Sequence, residues 1–189
     1  RLLTPLAVTN SDAAKALAEQ RLLRGRVTEA TPLLAGHNDP EGLALQGWLG
    51  FLQGDYGRVI ASVEAGELFI RKLTRKRILY TPGIPGALYL LALLRRGERA
   101  DFERVQHQVS VCLRASVSDP IERAYRILGD LAAVVAGQRR VAECGWLRDN
   151  LTLRGAFPTL FQALALHWLG ERPPADLLPA LARRAREAA

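Results

Sequence analysis

The sequence predicts an all-α fold, a right-handed α-solenoid of about five stacked helical hairpins. Three observations predict it. The 189 residues are rich in Leu, Ala and Arg and only 6% are aromatic, a balance that favours helix over sheet. Single glycines punctuate the chain at Gly25, Gly54, Gly97, Gly137 and Gly170, spaced by roughly 30 to 45 residues, in the range of helical repeat units. Between them, apolar residues return every three or four positions, as one face of a helix requires.

Leu2–Asn10 reads as a lead-in interrupted by Pro5. Ser11 or Asp12 can cap a helix to about Arg24 with Ala16, Leu17, Leu22 and Leu23 inward. Val27 to about Ala35 is its partner, kept short or kinked by Pro32. The best-defined unit is Pro40–Gly66. Asp39 caps its first helix and Pro40 occupies the first turn, where a missing N–H costs nothing. Leu43, Trp48, Leu49, Phe51 and Leu52 give that helix its apolar faces. Gly47, Gly50 and Gly54 each cost about 1 kcal/mol of helix propensity against Ala, so their clustering implies a closely approaching neighbour. Gly54 ends the helix, Asp55 caps the next, and Val59, Ile60, Val63, Leu68 and Phe69 are its apolar residues.

A basic run, 71–77, and the breaker Pro82-Gly83-Ile84-Pro85-Gly86 follow. Ala87–Arg96 is then a helix apolar nearly all round, so it is expected to be buried on several sides. Asp101 can cap Phe102 to about Ala115, with Val105, Val109, Cys112 and Leu113 inward. Asp119-Pro120 opens a helix to about Ala136 carrying Ile121, Ala124, Ile127, Leu128, Leu131 and Val135. Its partner is Val141 to about Asn150, with Trp146 and Leu147. Pro158–Leu169 follows with Leu160, Phe161, Leu164, Ala165 and Trp168, and Ala175–Ala188 is the last helix.

Gly47 at mid-helix, the turn Gly54-Asp55-Tyr56 and the apolar Val59 beyond it resemble the tetratricopeptide repeat. The resemblance implies one repeat domain over 1–189, stacked hairpins and a concave groove lined by the first helix of each. By that analogy Trp48, Phe51, Leu91, Leu94, His167 and Trp168 are groove candidates. Members that clamp a C-terminal carboxylate place Lys and Asn there; apolar residues at these positions argue against that mode.

The net charge of +7 favours an acidic partner. Cys112 and Cys144 are far apart and lack metal-ligand spacing, so they read as small buried residues of a reducing, cytoplasmic compartment. No apolar run is long enough for a membrane span. The chain starts at Arg1 and has no Met, so it reads as a piece of a longer protein. There is no phosphate-binding glycine loop, no zinc-protease motif and no nucleophile elbow. His37, His107 and His167 fall in different units. No catalytic residue, metal or cofactor is assigned.

The sharpest functional candidate is the cluster Arg71, Lys72, Arg75, Lys76 and Arg77. Like charges four apart on a helix repel by a few tenths of a kcal/mol, so an acidic partner domain or a phosphate backbone is expected to neutralise them. Only Tyr80 is an aromatic neighbour, so base stacking is not supported. The cluster followed by Pro82–Leu94 is similar to a segment of the helical, non-catalytic part of large bacterial Swi/Snf-type helicase-like ATPases. A second resemblance is to the repeat region of large ATP-dependent bacterial transcription activators. The first implies a non-enzymatic accessory scaffold contacting protein or nucleic acid, with binding weakened when Arg75, Lys76 and Arg77 become Glu. The second implies a regulatory domain holding a peptide or small ligand in its groove.

Overall fold

The computed structural model describes residues 10–75, 81, 83–114, 119–148 and 156–171. Among them the protein is all-α, with no strand. The expected lead-in up to residue 9 and the last helix lie outside the described residues, as do Lys76 and Arg77. Contacts gather the chain into two compact units, Arg1–Arg96 and Gly97–Ala189, where the sequence alone reads as one domain.

In the first unit, α1 spans Ser11–Leu23, α2 Val27–Ala30, α3 Pro40–Leu52, α4 Tyr56–Thr74 and α5 Gly83–Arg96. The cap of α1 is Asn10, not Ser11 or Asp12: its Oδ1 accepts from the Asp12 and Ala13 amides at 2.9 and 3.1 Å. Ala14, Leu17, Ala18 and Leu22 face inward, while Ala16 and Leu23 are exposed, shifting the expected core face by part of a turn. Pro32 acts as expected. α2 stops at Ala30, and Pro32–Leu34 continues as a 3₁₀ turn.

The α3–α4 hairpin follows the sequence closely. Asp39 Oδ1 accepts the Gly42 amide at 3.1 Å, and Asp55 Oδ1 accepts the Arg58 amide at 2.9 Å. Gly54 has φ +77°, the left-handed conformation that closes the turn. A Cβ on Gly47 would lie 3.3 Å from Val63 Cγ2 and 3.5 Å from the Val59 carbonyl, so a small residue here lets two backbones approach. At the far end of the hairpin Gly66 lies against Pro40, the first residue of α3. α5 packs on both α3 and α4. Gly86–Leu94 are all buried, as an all-round apolar helix requires.

In the second unit, α6 spans Arg99–Arg114, α7 Asp119–Val135, α8 Gly145–Arg148 and α9 Ala156–Trp168. α7 packs against α6, α8 and α9. α6 starts before the expected cap, so Asp101 lies inside the first turn and is buried. The helix expected over Val141–Asn150 is cut into a 3₁₀ turn, Val141–Glu143, and the four residues of α8. Glu143 bonds the Arg140 amide at 3.0 Å and its guanidinium at 2.6 Å, and this local ring stops the helix from running through. Gly25, Gly97, Gly137 and Gly170 all have positive φ, so the glycine punctuation marks real turns.

Candidate interaction surface

Two buried ionisable groups, Lys15 and Asp130, tie helices together. Lys15 on α1 is 8% exposed at its side chain and meets Glu41 at 2.7 Å, Asp39 at 3.2 Å and Asp12 at 3.2 Å. The Glu41 carboxylate raises the Lys15 pKa above its ordinary value, burial opposes this, and Asp12 and Asp39 reinforce it. The ammonium therefore keeps its proton and joins α1 to the start of α3. Burial works against ionisation of Asp39, but the Gly42 amide and Lys15 outweigh it and hold its pKa below normal.

Asp130 on α7 does the same work in the second unit. Its Oδ2 accepts the Trp146 amide at 3.0 Å, and Arg139 stands 3.6 Å from Oδ1. Burial dominates and pushes its pKa up despite both. Between 3.8 and that raised value the folded state binds more proton than the unfolded one, so stability falls as pH rises through this window. Asp130→Asn keeps an acceptor for Trp146 and is expected to leave stability at pH 7 unchanged or raised. Asp130→Ala orphans that amide and is expected to cost about 1–3 kcal/mol. Denaturant melts of the two variants at pH 4 and pH 7 check both signs.

The cysteines are fully buried and unpaired with each other. Burial pushes the Cys112 thiol up to about 11, against a smaller opposing bond from Tyr125, and it raises Cys144 as well. Neither is a thiolate nucleophile at neutral pH. Among the described residues no cluster of His, Cys, Asp and Glu can hold a metal ion, and no helix is long and apolar enough to cross a membrane.

The groove candidates separate. Trp48, Leu91 and Leu94 are 6%, 6% and 1% exposed, so they are core residues and present no groove wall. Phe51 is half-buried, its ring edge-on to Tyr56 at 5.8 Å. His167 is exposed and Trp168 half-buried near the end of α9.

The cationic candidates Arg71, Lys72 and Arg75 come together at the end of α4, and all three are exposed. Among the described residues none of the three forms an ion pair. Arg75 ends the helix in the left-handed conformation with φ +56°, its amide bonded to the Arg71 carbonyl at 2.9 Å. Cations in a last turn complement the helix dipole by about 0.3–1 kcal/mol each. What the dipole does not account for is the company they keep. Leu68, Phe69 and Leu73 are 42%, 41% and 70% exposed on the same turns. The sequence counts Leu68 and Phe69 among the apolar residues of this helix, yet both are exposed.

Compared with protein-family models, curated proteins and solved structures, the chain has no match.

Proposed function

We propose that the chain is a non-enzymatic helical-repeat scaffold that docks a macromolecular partner, as an accessory region of a larger ATP-dependent protein. The observation that carries this reading is the exposed end of α4, where three cations without ion pairs stand beside three apolar side chains left in water. The close-packed α3–α4 hairpin with α5 seated on both helices supports the repeat character. The engagement of Lys15 and Asp130 in helix-to-helix ties supports the non-enzymatic one. The regulatory reading with a ligand in a groove loses three of its six lining residues to the core.

Protein and nucleic acid are the competing occupants, and the apolar residues favour protein. Phosphate gains nothing from Leu73. Three cations neutralise about three phosphates, so duplex DNA affinity is expected to fall roughly forty-fold between about 50 and 200 mM salt. Fluorescence anisotropy of a labelled duplex is expected to show little binding near physiological salt. Tight binding there, lost in the triple variant Arg71→Glu, Lys72→Glu, Arg75→Glu, would hand the surface to nucleic acid. No effect of that variant on any partner would remove the surface from the function.

A further inference from the structure

α4 has 19 residues and α3 has 13. Because Gly66 of α4 lies against Pro40, where α3 begins, the last eight residues of α4 run past the start of its partner by roughly 12 Å. The core-facing side of α4 does not end with α3. Val59, Ser62, Val63 and Gly66 are buried, and Phe69 and Leu73 continue beside that face into the overhang. Phe69 and Leu73 are four residues apart and share a side of the helix, as do Leu68 and Lys72, and Arg71 stands four before Arg75. The overhang thus carries an apolar pair, Phe69 and Leu73, with Lys72 along one flank, and Leu68 stands among the cations on the next side of the helix. Of the nearby acids, Glu67 accepts from Thr81 at 3.0 Å and Glu64 from Tyr89 of α5 at 3.3 Å.

Resting on the reading of this end as a docking surface, we infer that its occupant is an acidic amphipathic helix of a protein partner. Such a helix lays apolar residues at helical spacing along Phe69 and Leu73. Carboxylates on one of its flanks meet Lys72, with the cationic side of Arg71 and Arg75 beyond it. The rest of α4 is packed against α3 and α5, so the two free turns offer a membrane far less than an interfacial helix lying along its whole length. A nucleic acid backbone would use the cations and leave the three apolar side chains in water.

The test is selection of a phage-displayed library of randomised 16-residue peptides on the whole chain, followed by affinity measurement on the synthesised winner. The expected winners are acidic with apolar residues at helical spacing. Phe69→Ser and Leu73→Ser, both at exposed positions, are each expected to weaken the winner about ten-fold with an unchanged thermal melt. The triple charge reversal is expected to abolish binding and its salt dependence. Acidic winners without apolar spacing, indifferent to Phe69→Ser and Leu73→Ser, overturn the inference while leaving α4 an ionic docking surface. No enrichment, or enrichment indifferent to all five substitutions, sinks both. Sedimentation with phosphatidylserine-containing vesicles that is lost in the same variants, with no peptide enriched, overturns the inference in favour of a lipid surface.

Discussion

Tyr89→Ala is expected to lower the unfolding free energy by about 3–5 kcal/mol, the range for truncating a buried aromatic. Tyr89 is fully buried in the middle of α5, between neighbours that are themselves buried from Gly86 to Leu94. The loss combines the transfer of the ring with the cavity it leaves, because α3 and α4 close on α5 from two sides and cannot collapse independently. Tyr89→Phe separates the ring from its hydroxyl. That hydroxyl donates to Glu64 Oε1 at 3.3 Å, and its removal is expected to cost about 1 kcal/mol. Urea unfolding of both variants reads the difference directly. Equal losses would mean that the hydrogen bond rather than the packing holds α5, contrary to its burial.

Lys15→Glu is expected to cost about 3–5 kcal/mol, since it sets a fourth carboxylate among Asp12, Asp39 and Glu41 at an 8% exposed position. Lys15→Met keeps the aliphatic stem and drops the charge. Because Asp12 and Glu41 are largely exposed and can rehydrate, it is expected to cost only about 1 kcal/mol. The pH dependence carries the sign. Asp39 has a folded pKa below its ordinary 3.8, so its contribution is complete above 3.8 and is lost as pH falls through the lower value. Lys15 has a folded pKa above its ordinary 10.5, so its contribution is complete below 10.5 and is lost only as pH climbs beyond that. Wild-type stability from this cluster is therefore flat across neutral pH. Lys15→Met is expected to remove the alkaline decline and shallow the acid one. Melts at pH 3, 7 and 11.5 check this; an unchanged acid limb in Lys15→Met would show that Asp39 owes its lowered pKa to backbone amides and not to Lys15.

The proposed docking surface was half legible in the sequence. Five cations within seven residues announce themselves, and Arg71, Lys72 and Arg75 are exposed together as that density implies. Their apolar partners were hidden for a definite reason. The apolar pattern of α4 runs without a break through Leu68 and Phe69, and nothing in it marks where α3 stops covering it. That point is fixed by the register of Gly66 on Pro40, a relation between two helices. Three of the six groove candidates depart in the opposite direction. Trp48, Leu91 and Leu94 sit on helical faces that a single hairpin would leave open, and packing with neighbouring helices buries them.

By itself the sequence determined what local chemistry controls. Glycines at helix ends set the turns, Asp39 and Asp55 capped their helices, and Pro32 broke its own, because each acts through the backbone within a few residues. Only the tertiary structure decided which apolar stripe found a neighbour and which charge went inside. Lys15 is buried because Asp39 and Glu41 fold over it from 24 and more residues away. Asp130, on another element, reaches across 16 residues of sequence to take the Trp146 amide. Burial and long-range hydrogen bonds are properties of pairs distant in sequence, so no local pattern carries them.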